Sequence, residues 1–257
     1  MGLANKQFIN ILGVKTGVQS LPELIEFIAQ SINANQKVVI QYLNIHAINL
    51  AQKHPWFKSF LNQADMTYCD GYGLRLAARI LGVSLPDRYT IPDWFPELAA
   101  HCNQNGHSIY ILGARPGVAE IAAENLQIKA PGLKILGTYH GYFIKELHSS
   151  ENQRVIAMIN QANPDILAIG FGMPLQEKWL LDNWGGLNCR VAIPMGAAID
   201  YLAGKTPRAP RWLTDHGLEW LGRLVIEPRR LWKRYLLGIP FFYYNVLKQR
   251  LGYYTHR

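Results

Sequence analysis

Short apolar runs rich in β-branched residues alternate along this chain with segments whose apolar residues recur every three to four positions. The first pattern is typical of buried strands and the second of amphipathic helices. Their alternation predicts an α/β fold, a Rossmann-like, mostly parallel sheet flanked by helices. Strands are expected at 8–14, 38–43, 66–69, 108–112, 134–138, 165–169 and 190–194. Helices are expected at 22–34, 47–63, 73–81, 93–103, 118–129, 151–162, 174–183 and 197–203.

Charge is distributed unevenly over the 257 residues. Residues 1–204 carry 15 basic and 15 acidic side chains, whereas residues 205–257 carry 11 basic and 3 acidic ones. The whole formal net charge of +8 therefore comes from the C-terminal fifth. This asymmetry predicts an α/β domain at 1–204 followed by a basic, helical and aromatic appendage at 205–257.

The appendage also carries an apolar stripe. Leu221, Val225 and Trp232 recur near helical spacing, and Pro228 is typical of the first residue of a second helix. The run 236–244 is strongly apolar but shorter than the ~20 residues that cross a bilayer. Basic and aromatic side chains together favour docking on an anionic membrane surface. Packing of the same stripe on the domain, or on a second copy of the chain in a homo-oligomer, is the alternative.

The cysteines and the N-terminus bear on the compartment. The three cysteines lie far apart without a CxxC pair, which gives no support for disulfides or zinc and favours a reducing environment. The first ten residues lack the basic start and apolar run of a signal peptide. We therefore expect a cytoplasmic protein that binds peripherally to the inner face of the plasma membrane.

Polar residues follow two of the predicted strands. Ligands of parallel sheets bind at the carboxyl ends of strands, where Asn44 follows the strand 38–43 and Asp70 follows the strand 66–69. A carboxylate at a strand end is suited to act as a general base, and the neighbouring amide is suited to bind substrate. Both residue types also cap helices, which is the simpler interpretation.

Three further loops contain candidate binding residues. Glycines at 113 and 117 flank Arg115 before a helix, a context that suits a phosphate but also an ordinary turn. Gln176 lies in the first turn of its helix and is expected to face a ligand. Asp200 lies one turn into the next helix, where a solvated role is the alternative. Arg88 in a polar connector can neutralise a phosphate or pair with its neighbour Asp87. The candidate binding residues of these three loops and the connector are Gly113, Arg115, Gly117, Gln176, Asp200 and Arg88.

The sequence lacks the motifs that are typical of several functional classes. The chain has no DxD pair, HExxH or GxSxG, so no metal site is expected and no cofactor is implied. The first βα turn has no GxGxxG, which argues against a nicotinamide-dependent oxidoreductase. The basic excess is confined to a tail with apolar periodicity, and no RNA- or DNA-binding motif occurs, so nucleic acid is not an expected partner.

Six segments carry a family resemblance. They are NIHAINLA, ADMTYCDGYGLRLAARILGVSLPDRYTIPD, IYILGARPG, AIGFGMPLQEKW, MGAAIDYLAGKTPRAPRW and GLEWLGRLVIEPRRLWKRYL, in this order. Their order and spacing, from about Asn10 to Tyr235, resemble the WecG/TagA/CpsF family of bacterial glycosyltransferases, glycosyltransferase family 26.

The resemblance implies an activity. It is the inverting, metal-independent transfer of an N-acetylmannosamine-type hexosamine from a UDP-sugar to an undecaprenyl-diphosphate-linked GlcNAc-type acceptor, in cell-surface polysaccharide or teichoic-acid-like synthesis. The family's general base is implied to be Asp70, and its donor pocket includes Gln176 and Asp200. Stabilisation of the departing UDP is implied for Arg88, Arg115 and the tail arginines Arg223 and Arg230.

The sequence also departs from the family pattern. Tyr42 replaces a Thr, His46 replaces a common Glu or Asp, and Ile91 replaces a Gly. These positions are implied to lie beside the two sugars, so another UDP-hexose remains an alternative donor. A non-catalytic protein that binds a nucleotide sugar and a membrane is a second alternative.

Overall fold

A computed structural model describes residues 8–85, 90–207, 213 and 217–254. Its centre is a six-stranded parallel sheet with strand order β4-β3-β8-β7-β5-β6, next to a separate antiparallel hairpin of β1 and β2. The α/β fold with a mostly parallel sheet is thus confirmed. The strands are β1 Phe8–Ile11, β2 Val14–Gly17, β3 Val38–Leu43, β4 Met66–Cys69, β5 Ser108–Gly113, β6 Lys134–Tyr139, β7 Ile166–Gly170 and β8 Val191–Pro194.

Helices cover both faces of the sheet, and each face buries its own hydrophobic cluster. The apolar side chains of five of the six sheet strands are buried in both directions, as expected for a parallel sheet between two helical layers, and the edge strand β6 is partly exposed. The helices up to residue 202 are α1 Leu21–Asn33, α2 Ile45–Lys53, α3 Pro55–Gln63, α4 Tyr72–Ile80, α5 Ile91–Asn105, α6 Val118–Lys129, α7 Ser150–Ala162, α8 Leu175–Asn183 and α9 Ala198–Leu202.

Two predicted elements were wrong in their extent. The strand expected at 8–14 is a hairpin, because Leu12 and Gly13 adopt positive φ angles of 51° and 81° and reverse the chain. The helix expected at 47–63 is two helices, because His54 is extended at φ −127° and ψ 99° before Pro55. A residue before proline is disfavoured in the helical region, and proline has no N–H for a helical hydrogen bond.

The C-terminal residues form helices that continue from the domain. They are α10 Glu219–Ile226, α11 Pro228–Trp232, a π-helical turn at Lys233–Leu237 and α12 Gly238–Arg250. The helix start predicted at Pro228 is confirmed. None of the helices in the described ranges is long and apolar enough to cross a membrane.

The last helix, α12, packs against α2 and α4. Phe242 and Val246 are fully buried in the same hydrophobic cluster as one face of the sheet. The Asn49 side-chain amide donates a 2.8 Å hydrogen bond to the Gly238 carbonyl, and the Tyr243 hydroxyl donates one of 3.0 Å to the Gly73 carbonyl. This helix therefore belongs to the packed body of the protein, while the division at residue 204 stays a prediction.

Replacing Phe242 with alanine tests how far α12 contributes to the fold. We expect Phe242→Ala to lower the free energy of unfolding by about 3–5 kcal/mol, because a fully buried aromatic side chain leaves a cavity. Its neighbour Phe241 is 47% exposed, so Phe241→Ala is the matched control and should change the free energy by less than about 1 kcal/mol. Urea denaturation measures both, and equal losses would contradict the packing described.

Candidate active site

A cleft of about 1430 Å³ opens at the carboxyl edge of the sheet, between the strand exits and the C-terminal helices. Parallel strands all end at this edge, so loops that are distant in sequence converge there. Six of the predicted site residues line this one cleft: Asn44, Asp70, Arg115, Asp200, Arg223 and Arg230.

Asp70 and Asn44 lie side by side because β3 and β4 are paired in register. Leu43 is opposite Cys69, so the next residue of each strand leaves the sheet at the same height. The Asn44 amide nitrogen Nδ2 lies 3.4 Å from Asp70 Oδ2 and donates to it. Asn44 Oδ1 also accepts from the Ala47 backbone N–H at 3.0 Å and caps α2. Asn44 therefore caps α2 and lines the cleft at the same time, while its role in binding substrate stays a prediction.

Burial is the main cause that raises the pKa of Asp70 to about 6, and the negative charge of Glu219 adds to it. The hydrogen bond from Asn44 and the positive charges of Arg223 and Arg234 act in the opposite direction. The result is a carboxyl group that ionises just below neutral pH while facing a large cleft. Such a group is suited to accept a proton near neutral pH.

Guanidinium groups form part of the cleft wall. Arg223 lies over the ring of Tyr201, with 5.8 Å between the guanidinium carbon and the ring centroid. Arg230 makes a 2.6 Å ion pair with Glu227 one helical turn away. Arg234 has a buried Nε that finds no hydrogen-bond acceptor among the described residues. This wall can therefore receive the negative charge of a ligand.

Asp200 forms a second carboxylate position in the cleft. It is half-buried, and burial is the main cause that raises its pKa, opposed by the charges of Arg115 and Arg230. The arginines are thus divided between two carboxylates: Arg223 and Arg234 act on Asp70, while Arg115 and Arg230 act on Asp200.

Gln176, Gly113 and Gly117 are described by the structure but do not line the cleft. Gln176 was expected to face a ligand, but it is fully buried beneath the floor, because the inner face of α8 turns it toward β3. A side chain on Gly113 would lie 2.5 Å from the Gly170 carbonyl oxygen, so this glycine permits close approach of two strand ends. Gly117 has a φ of 80° and precedes α6 as part of its turn. Arg88 lies outside the described residues.

Some cleft residues were not found from the sequence. Arg234 follows Arg230 at helical spacing, which could have placed it on the same face. Glu219 and Tyr201 had no such signal. Lys145 lies in the loop after β6, where its ammonium nitrogen is 4.3 Å and 4.6 Å from the ring centroids of Phe143 and Phe171. Its position depends on the three-dimensional packing of two aromatic residues.

Comparison with known proteins decides the family. The family model described as "Glycosyl transferase WecG/TagA/CpsF family" matches residues 9–256. The chain belongs to this family. It is therefore a glycosyltransferase, as its resemblance had implied.

Two relatives show the extent of the similarity. An N-acetylglucosaminyldiphosphoundecaprenol N-acetyl-beta-D-mannosaminyltransferase of Staphylococcus aureus (strain MRSA252) is 27% identical over 250 residues, which cover 96% of this chain and 95% of the relative. The enzyme of the same name from Bacillus subtilis (strain 168) is 30% identical over 242 residues, or 93% of this chain and 90% of the relative. The similarity therefore includes both the sheet and the C-terminal helices.

Removing the charge of Glu219 tests the electrostatics of Asp70. We expect Glu219→Gln to move the acidic limb of the kcat/KM profile to lower pH, by about half a pH unit, because Glu219 raises the pKa of Asp70. Glu227→Gln is the matched control on the same tail, since Glu227 acts on Asp200. Transfer rates measured between about pH 4.5 and about pH 8 give the two profiles. An equal shift in both variants would contradict the assignment.

Proposed function

We propose that this glycosyltransferase moves an N-acetylmannosamine-type hexosamine from a UDP-sugar to a GlcNAc linked to undecaprenyl diphosphate, with inversion and without a metal. The names of the two relatives support the transferred sugar and the acceptor, whereas the UDP donor, the inversion and the absence of a metal follow from what the family resemblance implies. The observation that carries it is Asp70, a carboxyl group with its pKa raised to about 6 that lines the same cleft as several arginines.

The proposed reaction is a single displacement with Asp70 as the general base. The Asp70 carboxylate takes the proton of the acceptor hydroxyl, and the hydroxyl oxygen forms a bond to the anomeric carbon. The bond from that carbon to the diphosphate oxygen breaks on the opposite face, so the configuration inverts and UDP leaves with the electron pair. Asn44 orients the carboxylate through its hydrogen bond to Oδ2.

Arginines supply the positive charge that the departing UDP requires. Arg115, Arg223 and Arg230 line the cleft, and each guanidinium group can bind phosphate oxygens through two N–H donors. Three fixed cations at one cleft support a mechanism in which side chains stabilise the leaving group. Arg88 is proposed to join them, as the family resemblance implies.

The C-terminal helices support docking on an anionic membrane. They expose apolar side chains that are unusual for a solvated surface, with Leu236, Leu237, Phe241 and Tyr244 each 47–60% exposed. Arg229, Lys233 and Lys248 lie on the same helices. Basic and apolar residues together bind the inner leaflet, which is where a polyprenyl-linked acceptor presents its sugar.

The identity of the donor sugar is the less constrained part of the proposal. His46 lines the cleft, and burial together with the charge of Arg234 lowers its pKa to about 3, so its imidazole is neutral. A neutral ring at a position where the family commonly has a carboxylate supports the alternative that another UDP-hexose is the donor. A panel of UDP-sugars, each tested with a lipid-diphosphate-GlcNAc acceptor, identifies the pair by UDP release.

Replacing the proposed base tests the mechanism. We expect Asp70→Asn to lower kcat about 10²–10⁴-fold, because the amide cannot accept the proton. The variant should also be more stable than the wild type above pH 6, since a carboxyl whose pKa is raised from 3.8 to about 6 costs stability once it ionises. Thermal unfolding at about pH 4 and about pH 8, roughly two units either side of that pKa, measures the effect on stability, and single-turnover assays measure the effect on the rate. Full activity in Asp70→Asn would disprove the assignment.

Vesicle binding tests the docking surface. We expect Leu237→Glu to reduce sedimentation with phosphatidylglycerol vesicles several-fold, because a charge replaces an exposed apolar residue beside the membrane. Ile128→Glu on α6 is the control, since Ile128 is 76% exposed but lies outside the tail. Equal sedimentation of wild type and Leu237→Glu would contradict the proposed docking.

A further inference from the structure

A cluster of buried polar side chains lies directly beneath the cleft floor. Gln41 in β3 and Gln176 and Glu177 at the start of α8 are all fully buried. Burying such groups costs free energy unless hydrogen bonds replace those lost to water. In this case the cost falls on three neighbouring residues, none of which lines the cleft.

The Gln176 amide joins two loops of the floor. Its Oε1 accepts from the Gly172 N–H at 3.2 Å and from the Gly196 N–H at 3.0 Å. Gly172 follows β7 and Gly196 follows β8, and both line the cleft. The two loops are therefore held together by one side-chain oxygen, and the shape of the floor depends on which way the amide points.

Glu177 determines the orientation of that amide. Gln176 Nε2 donates to Glu177 Oε1 at 2.8 Å, so the amide oxygen is left to accept from the two loops. Gln41 Nε2 donates to the same carboxyl oxygen at 3.2 Å. Without the Glu177 carboxyl oxygen, the Gln176 amide nitrogen would keep only the Tyr42 hydroxyl, at 3.4 Å, as an acceptor among the described residues, and the amide would be less firmly held.

Two buried side-chain oxygens of this cluster lack a hydrogen-bond donor among the described residues. Glu177 Oε2 and Gln41 Oε1 are both buried, and neither has a hydrogen-bond partner within the described residues. As a carboxylate and an amide oxygen, both are acceptors. A proton on Glu177 Oε2 would supply a donor where an ionised carboxylate leaves buried acceptors unsatisfied.

We propose that Glu177 is held as a neutral carboxylic acid and acts as a positioning residue, fixing the Gln176 amide and through it the floor of the transferase cleft. An ionised Glu177 would be a buried charge without a counter-ion in the described part of the chain. The first turn of α8 would then open to solvate it, and Gln176 lies on that turn.

The surroundings of Glu177 support the neutral form. Burial is the largest effect and raises the pKa of Glu177 from 4.5 to about 7, against hydrogen bonds from Gln176, its own backbone and Gln41. The titratable neighbour on β3 is Tyr42, whose pKa is raised mainly by its own burial. Helix α3, which packs on α8, carries Lys58, and α8 itself carries an ion pair of Lys178 with Asp182 at 2.6 Å.

The raised pKa fixes the direction of a pH effect. Below pH 4.5 Glu177 is protonated in both the folded and the unfolded chain, so it imposes no penalty. Between 4.5 and about 7 the unfolded chain releases the proton first, and the free energy of unfolding falls as the pH rises. Replacing Glu177 with a neutral isostere should remove this fall.

Glu177→Gln is the variant that separates the two protonation states. The amide introduced by this substitution keeps one oxygen as an acceptor for Gln176 and Gln41 and carries N–H donors in place of the O–H of the carboxylic acid. We expect the urea concentration at the unfolding midpoint of the wild type to fall as the pH rises from about 5 to about 8, a range that includes the raised pKa of Glu177. The midpoint of Glu177→Gln should fall much less. Glu120→Gln is the matched control, since Glu120 lies exposed in the first turn of α6. An unchanged pH dependence in Glu177→Gln would overturn the proposal.

Transfer activity supplies a readout that a purely structural role would not change. The rate should rise with ionisation of Asp70 near pH 6 and fall with ionisation of Glu177 near pH 7. Glu177→Gln should retain the acidic limb and lose the alkaline limb, while Glu177→Ala should lower kcat about tenfold because both amides lose their acceptor. An alkaline limb that persists in Glu177→Gln would overturn the positioning role.

Infrared spectroscopy reports the proton on the wild-type protein without any variant having to be active. Subtracting the spectrum of Glu177→Gln from that of the wild type at about pH 6 should leave the carbonyl stretch of one protonated carboxylic acid, because Asp70 is partly protonated at this pH in both proteins and its band cancels. The absence of this band from the difference spectrum would overturn the proposal. The activity readout rests on the proposed function, whereas the urea and infrared readouts do not. A protein that transfers no sugar under any condition would therefore refute the proposed function and leave Glu177 to be decided by the other two.

Discussion

The parallel pairing of the six central strands is the constraint on which the rest of the structure depends. Because every strand ends at the same edge, residues separated by more than a hundred positions meet in one cleft. The register of β3 with β4 places Asn44 next to Asp70, and that of β7 with β8 places the Gly172 and Gly196 loops within reach of one amide. Backbone hydrogen bonds of the sheet therefore set the geometry of the candidate site.

The C-terminal helices complete the cleft, and the first and the last of them contribute in different ways. Helix α12 is anchored by Phe242 and Val246 in a hydrophobic cluster of the domain. Helices α10 and α11 instead present Arg223, Glu219 and Arg230 to the strand exits. Charges that tune Asp70 thus come from a segment whose position is fixed by apolar packing farther along the chain.

Sequence patterns predicted the strands of the sheet well. The hydrophobic periodicities of strands and helices depend on neighbouring residues, and their alternation is therefore visible in the sequence. Sequence patterns also predicted Asp70 and Asn44, since both follow directly from a strand end. Gln176 was misplaced, because a position in the first turn of a helix does not determine which face is buried. The run around Phe241 and Phe242 could not be divided by composition, although one ring is exposed and the next is buried. The difference in exposure between these two rings is set by the packing of α12 against α2 and α4.

The hydrogen bond from Tyr243 to Gly73 links the tail to the start of α4, which follows the loop that bears the proposed base. Gly73 lies three residues after Asp70, and a side chain there would clash with Ile45 of α2 at 2.5 Å and lie 3.4 Å from the Tyr243 hydroxyl, so α2, α4 and α12 meet closely at this glycine. Under the proposed docking, the helix that rests on the lipid fixes the height of Asp70 above the bilayer. The enzyme would then select the acceptor hydroxyl by its distance from the membrane as well as by its chemistry.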